Sequence, residues 1–252
     1  MPDSSILAGV DDVINEALGL KNDRFKYKDK KRCQLFSREK APECDGEVLI
    51  ERILDRIRFN WHKGKSRSNE NWRWKQHAEI DKKNKSREVF LERLVIDTQQ
   101  GNDWVNQVPV ASGLTSSAGG RRAIDLIHRA ADGWYEFFEL KVDHRGGTPL
   151  FAAMEILQYG VLYIFSRANA PKLGYTKAGM LDAKGIRLRV LAPANYYAPY
   201  DLRWVEKSIN GGLSSFLGDR FGFEMDFKFE SLSLTISRSP VVWGGTKKAD
   251  AE

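Results

Sequence analysis

Apolar residues recur at helical spacing early in the chain. In SSILAGVDDVINEALG, residues Ile6, Leu7, Val10, Val13, Ile14 and Leu18 share one face, with a serine to cap the start and Gly19 to end it. DGEVLIERILDRIRFNW repeats the pattern with Val48, Ile50, Ile53, Leu54 and Ile57 inward. Both predict amphipathic helices, separated by the cation-rich LKNDRFKYKDKKRC. From Ser86 the pattern sharpens. SREVFLERLVIDTQQ predicts a helix capped by Ser86, with Phe90, Leu91, Leu94 and Val95 inward. DWVNQVPVAS, GRRAIDLIHRA and GWYEFFELKV read as strands. TPLFAAMEILQYGVLYIFSR follows as a long helix, with Thr148 as N-cap and Pro149 in its first position. IRLRVLAPANYY is a strand and loop, DLRWVEKSINGGLSSFL a helix and FGFEMDFKFESLSL a strand.

This order predicts an α/β fold, a mixed central sheet flanked by helices. The expected organisation is a basic, tryptophan-containing, mainly helical region over 1–85, a core over 86–236 and a flexible tail over 237–252.

Composition adds limits. At 252 residues the chain can bury one substantial core, and 40 Lys and Arg against 34 Asp and Glu leave a net charge of +6, which favours polyanionic partners without naming one. No run approaches about 18 uninterrupted apolar residues, and MPDSSILAGVDD lacks the cationic start of a signal peptide. A cytoplasmic protein with no membrane partner is expected. Cys33 and Cys44 lack CxxC spacing, and with His62 and His77 they match no common zinc finger.

HKGKSRSNENWRWKQHAEIDKKNKSR reads either as a solvated connector or as a nucleic-acid contact. In the second reading its cations, among them Arg73 and Lys75, neutralise phosphates while Trp72 and Trp74 stack on bases. Tryptophans packed on the core explain the same letters.

The chemistry concentrates in AIDLIHRAADGWYEFFELKV. Asp132-Gly133 is a hairpin signal, because glycine takes positive φ without steric cost. A three-residue loop at Ala131–Gly133 places Ala130 opposite Trp134 and, counting back, Asp125 opposite Glu139. Alternation puts Lys141 on the same face as Glu139. Facing carboxylates repel unless a cation sits between them, and a divalent metal suits that gap. The pattern of acid, any residue, lysine also occurs at Asp81–Lys83, Asp182–Lys184 and Asp226–Lys228, so context must select. FGFEMDFKFE alternates strictly, as a half-exposed strand does. WYEFFELKV carries apolar residues on both faces, where unpaired charge is expensive. The competing reading is a buried ion cluster without chemistry.

These residues resemble the PD-(D/E)XK phosphodiesterase superfamily, the restriction-endonuclease-like nucleases. There a helix bearing a glutamate precedes a hairpin whose strands carry an aspartate and then (D/E)-x-K, and a long helix follows. Asp125, Glu139-Leu140-Lys141 and the helix from Pro149 match, across roughly 86–167. Glu88 and Glu92 both offer the helix glutamate, with Glu92 preferred as nearer the next strand. Where the RecB-like branch has Gln-x3-Tyr, this chain has Glu155 and Tyr159, with Gln158 beside the tyrosine, so either Glu155 or Gln158 would face the cluster, the alternative being a purely structural glutamate. Ile124 replaces the usual proline.

The resemblance implies a restriction-endonuclease-like core and phosphodiester hydrolysis. Asp125, Glu139 and the Leu140 carbonyl would hold Mg²⁺ or Mn²⁺, Lys141 would orient the nucleophile, and Glu92 would be an outer ligand or water anchor. The expected function is a nuclease acting on DNA, in keeping with a restriction or phage-defence role, working as a homodimer or with a partner protein. RNA cleavage and a non-catalytic nucleic-acid-binding or assembly role are the alternatives. The chain has no GxxxxGK[ST], HExxH or GxSxG motif. His128 should point to the face opposite Asp125, while His144, in the glycine loop after Lys141, is placed to approach the site.

Overall fold

The computed structural model describes residues 5–39, 41–61, 68–79, 86–99, 101–115, 122–175 and 179–232. Four helices come first: α1 (Val10–Ala17), α2 (Lys30–Arg38), α3 (Gly46–Asn60) and α4 (Arg87–Thr98). The strands β1 (Trp104–Pro109), β2 (Ala123–Arg129) and β3 (Trp134–Leu140) follow. Then come α5 (Pro149–Ala168), α6 (Ala170–Leu173), β4 (Gly185–Ala192), α7 (Ala194–Tyr197), α8 (Arg203–Leu217) and β5 (Glu224–Ser231). The strands lie side by side in chain order. β1, β2 and β3 pair antiparallel, whereas β3, β4 and β5 run parallel. Parallel neighbours need long crossovers, and the helices after β3 and β4 supply them. The chain is thus α/β, with a five-stranded mixed sheet flanked by helices.

The main core joins β-sheet residues such as Ile127, Phe137 and Leu188 to α1, α3, α5 and α8. It runs from Ile6 to Phe227, so the apolar packing crosses residue 85 without a break. α4 covers the other side, where Leu91, Val95 and Ile96 pack with Leu126, Phe138, Leu140 and Leu191. β3 is therefore covered on both faces, as its sequence indicates.

α5 starts where Thr148 Oγ1 accepts from the Phe151 amide at 3.2 Å, with Pro149 in the first turn. From Pro149 to Ser166 only Phe151 and Glu155 are not buried. By length and composition α5 could cross a membrane, but 89% of its apolar window is buried inside the protein.

Several local expectations change. The first helix begins at Val10, because Gly9 takes φ 74° and Ile6 and Leu7 are buried in the turn before it. α2 forms within the cation-rich segment, burying Cys33 and Phe36. In α3, Leu49 is buried and Val48 is exposed. In α4, Phe90 is exposed and Glu92 takes a buried position beside Leu91. The tail over 237–252 lies outside the described residues.

Candidate active site

The β2–β3 turn has Asp132 at φ 60° and Gly133 at φ 82°, and the Ala130 amide donates to the Trp134 carbonyl at 2.9 Å. Pairs run from Arg129↔Tyr135 to Leu126↔Phe138. This is the expected register, and Asp125 lies one step beyond its last pair. There the Leu140 amide donates to Asp125 Oδ2 at 2.8 Å. The first acid is thereby anchored to the peptide that follows Glu139.

Lys141 and Glu139 are 7% and 4% exposed, and Lys141 Nζ donates to Glu139 Oε1 at 2.5 Å. Nζ also reaches Glu155 Oε2 at 3.4 Å and sits 5.7 Å above the Phe151 ring. Glu155 Oε1 accepts from the Tyr159 hydroxyl at 3.5 Å and lies 3.8 Å from Arg122. Of the two α5 candidates, Glu155 meets the cluster. Gln158 is turned elsewhere, donating to the Met154 carbonyl at 3.0 Å and lying beside Tyr27.

Glu92 comes from α4, whose start is fixed by Ser86 Oγ accepting from the Val89 amide at 3.3 Å. Its side chain is 1% exposed; Oε2 accepts from Gln107 Nε2 at 2.6 Å, and Oε1 has no hydrogen-bond partner. Glu88 stays at the rim, where its Oε2 accepts from Ser86 Oγ at 3.1 Å. Gln107 and Arg122 carried no signal in the sequence, since each gains its position through tertiary contacts.

Burial, reinforced by neighbouring like charges, sets the protonation states of the carboxyls. Burial, then Asp125, pushes the Glu92 carboxyl up to about 8. Burial pushes Asp125 up to about 7 against the Leu140 hydrogen bond and the Lys141 charge. Burial, then Asp125 and Glu155, raises Glu139 well above the carboxylate range. Burial alone would lower Lys141, but Glu139 and Glu155 hold it above its ordinary value, so it is an ammonium.

Beside Lys141 opens a cleft of about 420 Å³ lined by Ser86, Arg87, Glu88, Asp143, Arg145 and Gly146. A Cβ on Gly146 would stand 3.1 Å from Glu88 Oε1 and 3.3 Å from Lys141 Cδ, so a larger residue there would require these two side chains to give by a few tenths of an ångström. Asp143 accepts from Arg145 at 2.6 Å and lies 3.6 Å from Arg87; the Arg145 hydrogen bonds hold its carboxyl down to about 2.

His144 and His128 each have an aromatic partner of their own. His144 stacks on Tyr196, with centroids 4.8 Å apart. His128 contacts Glu136 at 2.8 Å and stacks on Trp104, as a packing residue would. Cys33 and Cys44 are free, and His62 lies outside the described residues.

The nucleic-acid stretch needs one correction. Trp72 is 1% exposed, packed on Phe137 and edge-on to Tyr163, so it is a core residue and cannot stack on bases. Its amide donates to the Pro109 carbonyl at 2.9 Å, tying this segment to the end of β1. Trp74 is half-buried against Tyr135, with the Arg129 guanidinium 5.2 Å from its ring. Arg73 and Lys75 are exposed.

Does a divalent cation suit this donor set? Among the described residues, no three His, Cys, Asp or Glu side chains stand in an arrangement that could hold one. The chemistry of the site nevertheless fits a hard cation: its candidate ligands are oxygens, its carboxyls raise one another's pKa, and Glu92 Oε1 is a buried acceptor without a donor. Comparison of the chain with protein-family models, with curated proteins and with solved structures finds no match.

Proposed function

We propose that this protein is a metal-dependent nuclease that hydrolyses phosphodiester bonds in DNA, with a core of the restriction-endonuclease-like kind. The observation that carries this reading is the meeting of Asp125, Glu139 and Lys141 at the end of the β2–β3 hairpin, where Lys141 is buried 2.5 Å from Glu139 Oε1. Supporting it is the order of parts: a helix with Glu92, strands bearing Asp125 and then Glu139-x-Lys141, and the long α5.

Asp125, Glu139 and the Leu140 carbonyl would hold Mg²⁺ or Mn²⁺, with Glu92 as outer ligand or water anchor. The ion would supply a more acidic water and a polarised phosphate. Lys141, fixed as an ammonium, donates a hydrogen bond to the nucleophile and offsets charge growing on the phosphate oxygens. Glu155 and Tyr159 hold Lys141 in place from α5. Arg73, Lys75 and the open parts of Trp74 are the proposed contacts to substrate in the N-terminal part.

A second reading, a nucleic-acid-binding protein without catalysis, is favoured by the lack of a three-ligand arrangement among the described residues. Purified protein mixed with supercoiled and linear DNA, and separately with RNA, with Mg²⁺ or EDTA, separates the two. Cleavage of DNA that EDTA abolishes supports the proposal. Binding without cleavage under all metal conditions favours the second reading, and cleavage of RNA alone changes the substrate.

A further inference from the structure

Gln107 stands out by its backbone. Among the described residues, Trp72, Gln107 and Asp132 are the non-glycine residues with positive φ, and only Gln107, at φ 51°, lies within a strand. A left-handed backbone is costly for a side chain with a Cβ, so it persists only where the surroundings impose it. Its neighbours Asn106 and Val108 pair with Leu126 and Ile124, which places Gln107 across from Asp125. The local alternation breaks there: Val105 and Val108 both join the main core although three residues apart. Strict alternation would send the Gln107 side chain to that core with Val105. Instead its amide reaches the other side of the sheet and donates to Glu92 Oε2 at 2.6 Å. That contact takes one oxygen of Glu92 and leaves Oε1 buried and unpartnered.

We propose that Gln107 is a positioning residue, whose amide fixes the Glu92 carboxyl so that Oε1 is presented to the divalent ion beside Asp125 or to its water. The proposal rests on the reading of the site as a metal-dependent nuclease. Residues that orient a ligand or its water carry a measurable share of metal affinity, typically about 10- to 100-fold. Because Gln107 acts through Glu92, its effect must vanish when Glu92 is gone.

The test is Mn²⁺ titration by calorimetry on the full chain, with circular dichroism to monitor the fold. Gln107→Ala is expected to weaken Mn²⁺ binding about 10-fold or more. Gln107→Asn tolerates the left-handed backbone but carries an amide one methylene shorter, so it should weaken binding similarly and serves if the alanine variant fails to fold. In a Glu92→Ala background, Gln107→Ala should add nothing. Wild-type affinity in folded Gln107→Ala or Gln107→Asn, or an equal loss with and without Glu92, overturns the proposal while leaving the site reading intact. A wild-type chain that neither binds Mn²⁺ nor cleaves DNA ends the site reading itself.

Discussion

The backbone amide of Leu140 donates to the carboxylate of Asp125 at 2.8 Å. That bond links β2 to β3 beyond their last paired position, Leu126↔Phe138. It uses one oxygen of Asp125, as the Lys141 contact uses one oxygen of Glu139. Two carboxyl groups are thus fixed close to one buried ammonium.

Lys141→Ala should abolish cleavage while preserving the fold and the affinity for DNA. Loss of a group that stabilises developing transition-state charge typically costs about 10²- to 10³-fold in rate. Plasmid cleavage assays together with a gel-shift titration check it. Normal turnover would remove Lys141 from the chemistry, and loss of DNA affinity alone would make it a binding residue.

Much of the architecture is readable from the letters, because local chemistry specifies it. Asp132-Gly133 fixes the turn, the turn fixes the register, and the register brings Asp125 to Glu139-Leu140-Lys141. Ser86 and Thr148 likewise mark the starts of α4 and α5. What stays hidden depends on packing. α2 has few apolar positions among its cations, yet Cys33 and Phe36 find a core assembled from distant segments. Choosing Glu155 over Gln158 requires the rotational phase of α5: Phe151, Glu155 and Tyr159 follow one i,i+4 row that meets Lys141, and Gln158 falls outside it. The part played by Gln107 depends on a backbone conformation that its sequence does not announce.

The carboxyls tie stability to pH. The folded-state values of Glu92, Asp125 and Glu139 are raised above their ordinary 4.5, 3.8 and 4.5, so the folded chain holds protons that the unfolded chain has released. The stabilising contribution of Glu92 and Asp125 is therefore fully present below the unfolded values and lost as pH rises through about 7 to 8. Without divalent ions the melting temperature should fall between pH 6 and pH 8.5, by a few degrees on the order of a 1 kcal/mol change. Added Mn²⁺ should restore it most at the alkaline end, because ligation requires deprotonated carboxylates. Differential scanning calorimetry with and without Mn²⁺ measures both, and Asp125→Asn should flatten the profile. A metal-induced rise that is equal at pH 6 and pH 8.5 would contradict this account.

Trp72 and Trp74 should behave differently. Trp72→Ala empties a site packed between Phe137 and Tyr163 and should cost about 3–5 kcal/mol in urea unfolding. Trp74, half-buried at the surface, should cost clearly less. Arg73→Ala with Lys75→Ala should leave unfolding nearly unchanged but reduce the salt dependence of DNA affinity, by about one unit of log–log slope for each lost phosphate contact. Equal destabilisation by the two tryptophan variants would contradict the placement of Trp72, and an unchanged salt slope would remove Arg73 and Lys75 from the substrate surface.

The most direct test of the central claim is a crystal structure of the full chain soaked in Mn²⁺, read by anomalous scattering. The account predicts a peak bounded by the carboxylates of Asp125 and Glu139, with oxygens at distances usual for hard divalent cations, about 2.0–2.6 Å. A soaked crystal with no peak between those two side chains, or with the ion bound only elsewhere on the molecule, would contradict it.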